Sequence, residues 1–190
     1  MDASVSRAVS NVRIRDARRD ELDTVSSLLA GAYGEFRPHF PPEAWERYLG
    51  EIVDVGSRLP DSELIVAEGK GLLVGTIGFY PDASRSTLER WPPGWASIRA
   101  LAVRSDARRS GIGETLVREC LMRAKQRCAR AVGLHTNPSM GAANRLYERL
   151  GFRRAPEFDI EIGEMFTGRR LPPDASWQAQ GFRLNLKEGS

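Results

Sequence analysis

A glycine turn between a strand and a helix constrains this sequence more than any other feature. Residues 98–103 are apolar apart from Arg99, as is typical of a central strand covered on both faces. Residues 108–113 then read Arg-Arg-Ser-Gly-Ile-Gly, and residues 116–128 carry apolar side chains at helical spacing. The glycines permit a tight turn, and the first N–H groups of a helix lack intrahelical partners. We therefore predict an anion site at the helix entrance, with Arg108 and Arg109 beside a diphosphate.

The turn does not match two common nucleotide-binding patterns. A dinucleotide fingerprint needs a third glycine where Leu116 stands, and no Gly-Lys-Ser or Gly-Lys-Thr follows to make a phosphate loop. Taken alone, the turn is also compatible with an ordinary helix start. The rest of the sequence must therefore decide which ligand it binds.

The remaining sequence predicts a mixed α/β architecture. Strands are expected at 12–15, 64–67, 72–80, 98–103, 131–136 and 182–186, and helices from about residues 20, 42, 112 and 140. The turn at 68–71 indicates a hairpin, 81–94 a loop, and 152–162 another extended segment. Antiparallel hairpins thus come early, and a parallel crossover lies in the middle of the chain.

Composition and charge bound the class of protein. The 190 residues, 41% of them hydrophobic, suit one domain at 12–190 behind a flexible start at 1–11. The 28 cations, all but three of them arginine, and the 25 acids leave a net charge of +3, which argues against a nucleic-acid-binding arm. The arginine excess indicates either coding bias or anion recognition. No apolar run is long enough to cross a membrane and the start lacks a secretory signal, so we expect a cytoplasmic protein.

The cysteines and histidines predict neither a disulfide nor a metal site. Cys120 and Cys128 lie on one predicted helix about 12 Å apart, which is too far for a disulfide. Both are expected to be buried on the apolar stripe of that helix. His39 and His135 have no cysteine or carboxylate partners at the spacing of zinc ligands.

Three segments together resemble the GCN5-related N-acetyltransferase (GNAT) superfamily. They are Ile98-Arg99-Ala100-Leu101-Ala102-Val103, then Arg108-x-x-Gly111-x-Gly113, and then Ala143-x-x-Leu146-Tyr147-x-x-x-Gly151-Phe152. The resemblance covers residues 98–152 in detail, and the order of elements on either side is similar. It implies a central mixed sheet of about seven strands with four helices, in which the fourth and fifth strands splay apart. It also implies an acyltransferase that uses acetyl-coenzyme A as cosubstrate.

The resemblance assigns a role to each matching residue. Backbone groups of the fourth strand pair with the pantetheine arm, and amides at the helix entrance hold the pyrophosphate. The cofactor-binding residues so implied are Leu101, Ala102, Val103, Arg108, Arg109, Ser110, Gly111, Ile112, Gly113 and Glu114. Tyr147 matches the tyrosine that protonates the departing thiolate, because a phenol with an ordinary pKa of about 10 keeps its proton at neutral pH. The alternative for Tyr147 is a packed helix aromatic.

Three positions depart from the family pattern. Met140 stands where many members carry an asparagine that contacts the cofactor, so we consider Asn144, on the same helical face, as its substitute. Ser97 stands where a glutamate often serves as general base, and serine cannot replace it. His135 stands where some relatives that acetylate protein N-termini have an acidic residue, which makes it either a base or a hydrogen-bonded neighbour within a strand.

The acceptor is expected between the first two helices and the last strands. The substrate candidates are Tyr33, Glu35, Phe36, Ser97 and His135. The aromatic side chains suit an apolar body, and the carboxylates of Glu35 and of residues 159–164 suit an ammonium group. Arg169 and Arg170 would instead suit an acidic acceptor. The sequence does not choose between these acceptors.

The function that follows is the transfer of an acetyl group from acetyl-coenzyme A to a primary amine. The amine attacks the thioester directly in a ternary complex, an N–H of the fourth strand stabilises the oxyanion, and the acceptor is expected to be a small molecule. The alternatives are a protein N-terminal or lysine acetyltransferase, or a sensor that binds acyl-coenzyme A without catalysis. A homodimer, common among similar proteins, stays open.

Overall fold

A mixed sheet with helices on both faces forms the centre of the fold. The computed structural model describes residues 12–40, 42–86, 89–168 and 178–186. Its strands are β1 (Val12–Asp16), β2 (Glu63–Gly69), β3 (Leu72–Tyr80), β4 (Trp95–Val103), β5 (Ala131–Thr136), β6 (Arg153–Arg154), β7 (Ile160–Glu161) and β8 (Gln178–Asn185). Its helices are α1 (Leu22–Tyr33), α2 (Pro42–Val53), α3 (Val55–Arg58), α4 (Ile112–Gln126), α5 (Gly141–Arg149) and α6 (Ile162–Thr167).

The strand order confirms the predicted topology. It is β1-β2-β3-β4-β5-β8-β6, with β7 also paired to β8. Strands β1 to β4 are antiparallel neighbours, and β4 and β5 are parallel, with α4 in the connection between them. Lys70 and Gly71 form the predicted hairpin between β2 and β3, and both have the positive φ that a two-residue hairpin turn favours.

Strands β4 and β5 separate halfway along their length. They pair from Trp95 with Ala131 to Ile98 with Leu134, whereas β4 continues to Val103 beside β3 alone. Ala100 has a φ of 53°, at an irregularity in the β3–β4 register. The family resemblance implied this splay, and it leaves one edge of β4 without a strand partner from Arg99 onward within the described part of the chain.

Two apolar clusters cover the two faces of the sheet. Alternate residues of β2 enter different clusters, because successive side chains of a strand point to opposite faces. Ile65 packs with Leu116 and other side chains of α4 and α5, whereas Val66 packs with α1 and α2. Cys120 is buried in the first cluster, but Cys128 is exposed beyond the end of α4, so its predicted burial is wrong.

The segment after α5 differs most from the prediction. Instead of one extended run at 152–162, it contains the short strands β6 and β7, a 3₁₀ turn at Pro156–Phe158, and then α6. Asp159 organises this segment, because its carboxylate accepts hydrogen bonds from Arg154 and from the backbone N–H of Gly181. Residues 1–11, predicted to be flexible, and the pair Arg169 and Arg170 lie outside the described residues. Of the helices described, none combines the length and apolar character needed to cross a bilayer.

Candidate active site

A long cleft opens where β4 leaves β5. It is bounded by the free edge of β4, the turn before α4 and the start of α5. The structure brings the following predicted cofactor and catalytic residues to its wall: Leu101, Ala102, Val103, Arg108, Arg109, Gly111, Ile112, Gly113, Glu114 and Tyr147. Residues from three separate segments of the sequence therefore meet on one surface.

The entrance to α4 has the backbone geometry of an anion site. Arg109 and Gly111 have φ values of 62° and 85°, and the backbone N–H of Thr115 donates to the carbonyl of Gly111 at 3.0 Å. The N–H groups that precede Thr115 in the first turn have no intrahelical acceptor, and they lie at the positive end of the helix dipole. A positive φ at a residue other than glycine costs about 1–2 kcal/mol, which is typical of strain kept at a functional site.

Arg108 joins two walls of the cleft. Its Nη1 lies 2.8 Å from Oε2 of Glu35, and its Nε donates to the carbonyl of Val103 at 3.2 Å. The neighbouring Arg104 pairs with Asp106 at 2.6 Å. Two arginines at this entrance thus already have carboxylate partners, and Glu35 lies beside the turn rather than in a separate acceptor site.

Tyr147 lies on the inner face of α5. Its ring is buried, and it packs edge-on against Phe152 with 5.8 Å between the ring centroids. Burial raises the pKa of the Tyr147 phenol well above its ordinary range. The hydroxyl therefore keeps its proton at neutral pH, as a proton donor on the cleft must.

Side-chain direction corrects the assignments of Asn144 and Ser97, and it shows that Ser110 could contribute only its backbone. The Asn144 carbonyl oxygen accepts from Thr136 Oγ1 at 2.6 Å, and its amide donates to the carbonyl of Asn137 at 3.0 Å, so Asn144 ties α5 to the end of β5 and does not line the cleft. Ser110 turns back to the carbonyl of Ala107. Ser97 is completely buried, and it lines neither this cleft nor the second cavity that is described next.

A second cavity, here called the acceptor pocket, adjoins the cleft. Tyr33, Arg99, Ala100, His135, Thr136 and Met140 line both spaces and mark the junction between them. The remaining walls are mainly apolar and come from Tyr48, Ile52, Ile160, Ile162, Met165, Phe166 and Ala179. Two predicted substrate residues, Tyr33 and His135, therefore meet at this junction, whereas Phe36 lines only the cleft. Burial raises the pKa of Tyr33 to about 12.

The sequence did not predict the buried carboxylate at this junction. Glu89 is 4% exposed, and its Oε1 lies 3.2 Å from Nε of Arg99 and 3.3 Å from Nδ1 of His135. Its Oε2 accepts a hydrogen bond from the indole N–H of Trp91 at 2.7 Å. Burial alone would raise the pKa of Glu89, but the charge of Arg99 and the contacts with His135 and Trp91 lower it to about 2.

Of the two alternatives for His135, its surroundings favour the hydrogen-bonded neighbour over the base. Its Nε2 lies 2.7 Å from the carbonyl oxygen of Phe158, which only accepts, so Nε2 carries a proton. Its Nδ1 faces Glu89 without a well-directed hydrogen bond. Trp91 covers the ring at a centroid distance of 4.7 Å, and it fits because Gly133 has no Cβ, which would lie 2.7 Å from the indole.

The described residues contain no cluster of candidate metal ligands. Within 12–40, 42–86, 89–168 and 178–186, no group of three or more histidine, cysteine, aspartate or glutamate side chains is placed to hold an ion. Cys120 and Cys128 are both free thiols.

Comparisons with known proteins support the family resemblance. The model of the acetyltransferase (GNAT) family matches residues 22–152. The chain is 32% identical over 136 residues to the probable N-acetyltransferase camello of Xenopus tropicalis, covering 69% of this chain and 58% of that protein. It is 36% identical over 122 residues to N-acetyltransferase family 8 member 3 of Rattus norvegicus, covering 60% of this chain and 52% of that protein. The chain thus spans little more than half the length of these curated relatives.

Solved structures share the fold. A GNAT family acetyltransferase from Elizabethkingia anophelis, crystallised with acetyl-CoA bound, superimposes with a TM-score of 0.63 over 93% of this chain and 99% of that one. Its sequence identity of 17% makes this a likeness of fold. The matched family model includes β4, the turn before α4, and Tyr147. The chain belongs to the acetyltransferase (GNAT) family.

Proposed function

We propose that this protein transfers the acetyl group of acetyl-coenzyme A to a primary amine. The observation that carries the proposal is the junction of two spaces: a cleft with an anion-binding turn and a buried phenol, and an apolar pocket that opens into it. Family membership and the fold shared with an acetyl-CoA-bound acetyltransferase point to the same chemistry.

The residues of the cleft fit acetyl-coenzyme A. The unpaired N–H groups at the start of α4 suit its diphosphate, with Arg109 as a nearby cation. The free edge of β4 offers backbone donors and acceptors to an extended amide chain such as pantetheine. When bound, the cosubstrate supplies an activated acyl group in the form of a thioester.

Two groups of the chain would assist the transfer. As the amine forms its bond to the acyl carbon, a backbone N–H between Leu101 and Val103 stabilises the charge on the carbonyl oxygen. As the carbon–sulfur bond breaks, the attacking nitrogen releases a proton to solvent, and the Tyr147 hydroxyl gives its proton to sulfur and later regains one from solvent. Glu89, with a pKa of about 2, is too weak a base to take a proton from an ammonium group. The acceptor therefore loses its proton to water before it attacks.

The acceptor that we favour is a small molecule with an apolar body. The walls of the acceptor pocket support this, since they bring aromatic and aliphatic side chains such as Tyr48, Phe166 and Ile160 around the junction. A protein N-terminus or a lysine side chain is the competing acceptor.

The release of free thiol from acetyl-coenzyme A tests the proposal. We expect release that depends on an added amine, measured across a panel of small amines and of peptides with free N-termini or lysines. Faster release with small amines supports a small-molecule acceptor. Faster release with peptides overturns the small-molecule acceptor and leaves acetyl transfer in place. Tight binding of acetyl-coenzyme A without release across the whole panel would show a sensor instead of an enzyme.

Because Glu35 pairs with Arg108, substitutions at these two residues are expected to change the affinity for coenzyme A in opposite directions. Glu35→Gln frees Arg108 for the diphosphate and is expected to tighten binding about two- to five-fold, the range of a surface ion pair. Arg108→Ala is expected to weaken binding, and less so at high salt. Titration calorimetry at low and high salt measures both changes. Arg85→Ala, which removes a cation paired with Asp61 outside the cleft, is the control, and weaker binding by Glu35→Gln would contradict the prediction.

A further inference from the structure

Arg99 is a partly buried cation whose one carboxylate contact among the described residues is Glu89. Its side chain is 17% exposed, and its closest carboxylate contact is Nε to Glu89 at 3.2 Å. In the parts of the chain that the structure describes, no guanidinium N–H of Arg99 makes a well-directed hydrogen bond to another residue. The ring of Tyr80 lies under the guanidinium, and its centroid is 5.7 Å from Cζ of Arg99. Because the guanidinium is still partly exposed and has donors besides the one that faces Glu89, it can bind an anion in the adjoining space.

The position of Arg99 identifies where that ligand lies. Arg99 lines both the cleft and the acceptor pocket, at the junction where the amine must meet the thioester. It is the only lysine or arginine among the described residues that line the acceptor pocket. The diphosphate has its own site at the start of α4, beside Arg108 and Arg109. An anion on Arg99 therefore comes from the acceptor.

We propose that Arg99 binds a carboxylate of the acceptor, next to the amine that is acetylated. The proposal rests on the proposed function and narrows its substrate class to amino acids with an apolar body. A guanidinium presents parallel N–H groups that match the two oxygens of a carboxylate. Glu89 is already engaged by Trp91, His135 and Arg99 itself, which holds the guanidinium in place without occupying all of its donors.

The other charged groups of the pocket set a limit on the acceptor. Glu51 also lines the pocket and is exposed. Its negative charge disfavours a second carboxylate on the acceptor, and the apolar walls favour a hydrocarbon side chain. A peptide N-terminus has no carboxylate beside its amine, so it lacks the group that Arg99 would bind.

Binding of reaction products tests the anion site without requiring turnover. The probes are N-acetyl-L-phenylalanine and N-acetylphenethylamine, which differ only by the carboxylate, with N-acetyl-L-leucine and N-isoamylacetamide as a second pair. In the presence of coenzyme A, calorimetry is expected to show tighter binding of each carboxylate by about 10- to 100-fold, the effect of a charged hydrogen bond. Affinities within two-fold in both pairs, or no binding by any probe, overturn the proposal.

Variants assign the preference to Arg99. Arg99→Gln is expected to abolish the tighter binding of the carboxylate probes, and Arg99→Lys is expected to keep part of it. Arg85→Gln, outside the pocket, is expected to leave it intact. If Arg99→Gln alone fails to fold, the double variant Arg99→Gln, Glu89→Gln removes both buried charges and serves in its place. A preference that survives in either variant overturns the assignment.

Turnover separates failure of this proposal from failure of the proposed function. Equal thiol release with phenylalanine and phenethylamine leaves acetyl transfer in place and overturns the carboxylate site. Selective binding of the acetylated amino acids without thiol release supports the site and overturns the enzyme.

Discussion

Replacing Tyr147 by phenylalanine is expected to lower the turnover number by about 100-fold or more while leaving the affinity for coenzyme A within about two-fold. The substitution removes one hydroxyl and keeps the ring, which packs edge-on against Phe152 in the buried cluster. Because burial keeps the phenol protonated, the lost group is neutral, so under the proposed mechanism the substitution removes a proton donor to the departing sulfur and no charge that would bind the cosubstrate. Steady-state kinetics and calorimetry with coenzyme A measure the two quantities.

A substitution at the neighbouring ring controls for packing. Phe152→Leu disturbs the same cluster but removes no proton donor, so it is expected to lower the melting temperature more than the turnover number. If Tyr147→Phe lowers the melting temperature and leaves the rate unchanged, Tyr147 is a packed aromatic and has no catalytic role.

The geometry of the turn before α4 could be predicted because its determinants are local. The turn at 108–113 is encoded by glycines at fixed spacing, and the N–H groups of a helix start point the same way in any fold. Tyr147 was assigned by the family resemblance, and its ring does lie on the inner face of α5, which packs on the sheet. The splay of β4 and β5 was implied by the family resemblance and could not be derived from strand patterns alone.

The acceptor side depends on contacts between distant segments. Glu89 lies in what the sequence presents as a loop, yet it is buried against Arg99 of β4 and His135 of β5. One signal was present, since a lone arginine in a central strand needs a counter-charge. The sequence did not say which of 25 acidic residues supplies it. The assignment of Asn144 failed for a related reason: helical spacing places a residue on a face, but the partner of that face is set by tertiary packing.

Replacing Glu89 by alanine is expected to lower the free energy of unfolding by about 3–5 kcal/mol, because it leaves Arg99 buried without a counter-charge. For a chain of this size the melting temperature should fall by about 10 °C. Thermal and urea unfolding measure the loss. Glu157→Ala is the matched control, since Glu157 is exposed and lies 3.4 Å from Arg183, so its removal should cost less than about 1 kcal/mol. A loss at Glu89 no larger than that at Glu157 would rule out a stabilising role for the buried pair.

The stabilisation by Glu89 should also depend on pH. Its pKa is lowered from 4.5 to about 2, so the folded state favours the ionised form. The stability it provides is fully present above pH 4.5 and is lost as the pH falls toward 2. Glu21, whose pKa is lowered to about 2 by hydrogen bonds from Arg15, acts in the same window, so the wild-type curve alone does not separate them. The difference between wild type and Glu89→Gln isolates Glu89, and it should narrow below pH 4.5; a constant difference down to pH 2 contradicts the lowered pKa.

The double variant Glu89→Gln, Arg99→Gln completes the argument. If the loss in Glu89→Gln arises from an unpaired buried cation, removing that cation as well should restore part of the stability. The double variant is then more stable than Glu89→Gln alone but no longer distinguishes carboxylate from amine acceptors. Recovered stability together with lost selectivity would separate the two roles of Arg99, as counter-charge to Glu89 and as ligand for the acceptor. Additive losses in the double variant would mean that the two residues stabilise the fold independently.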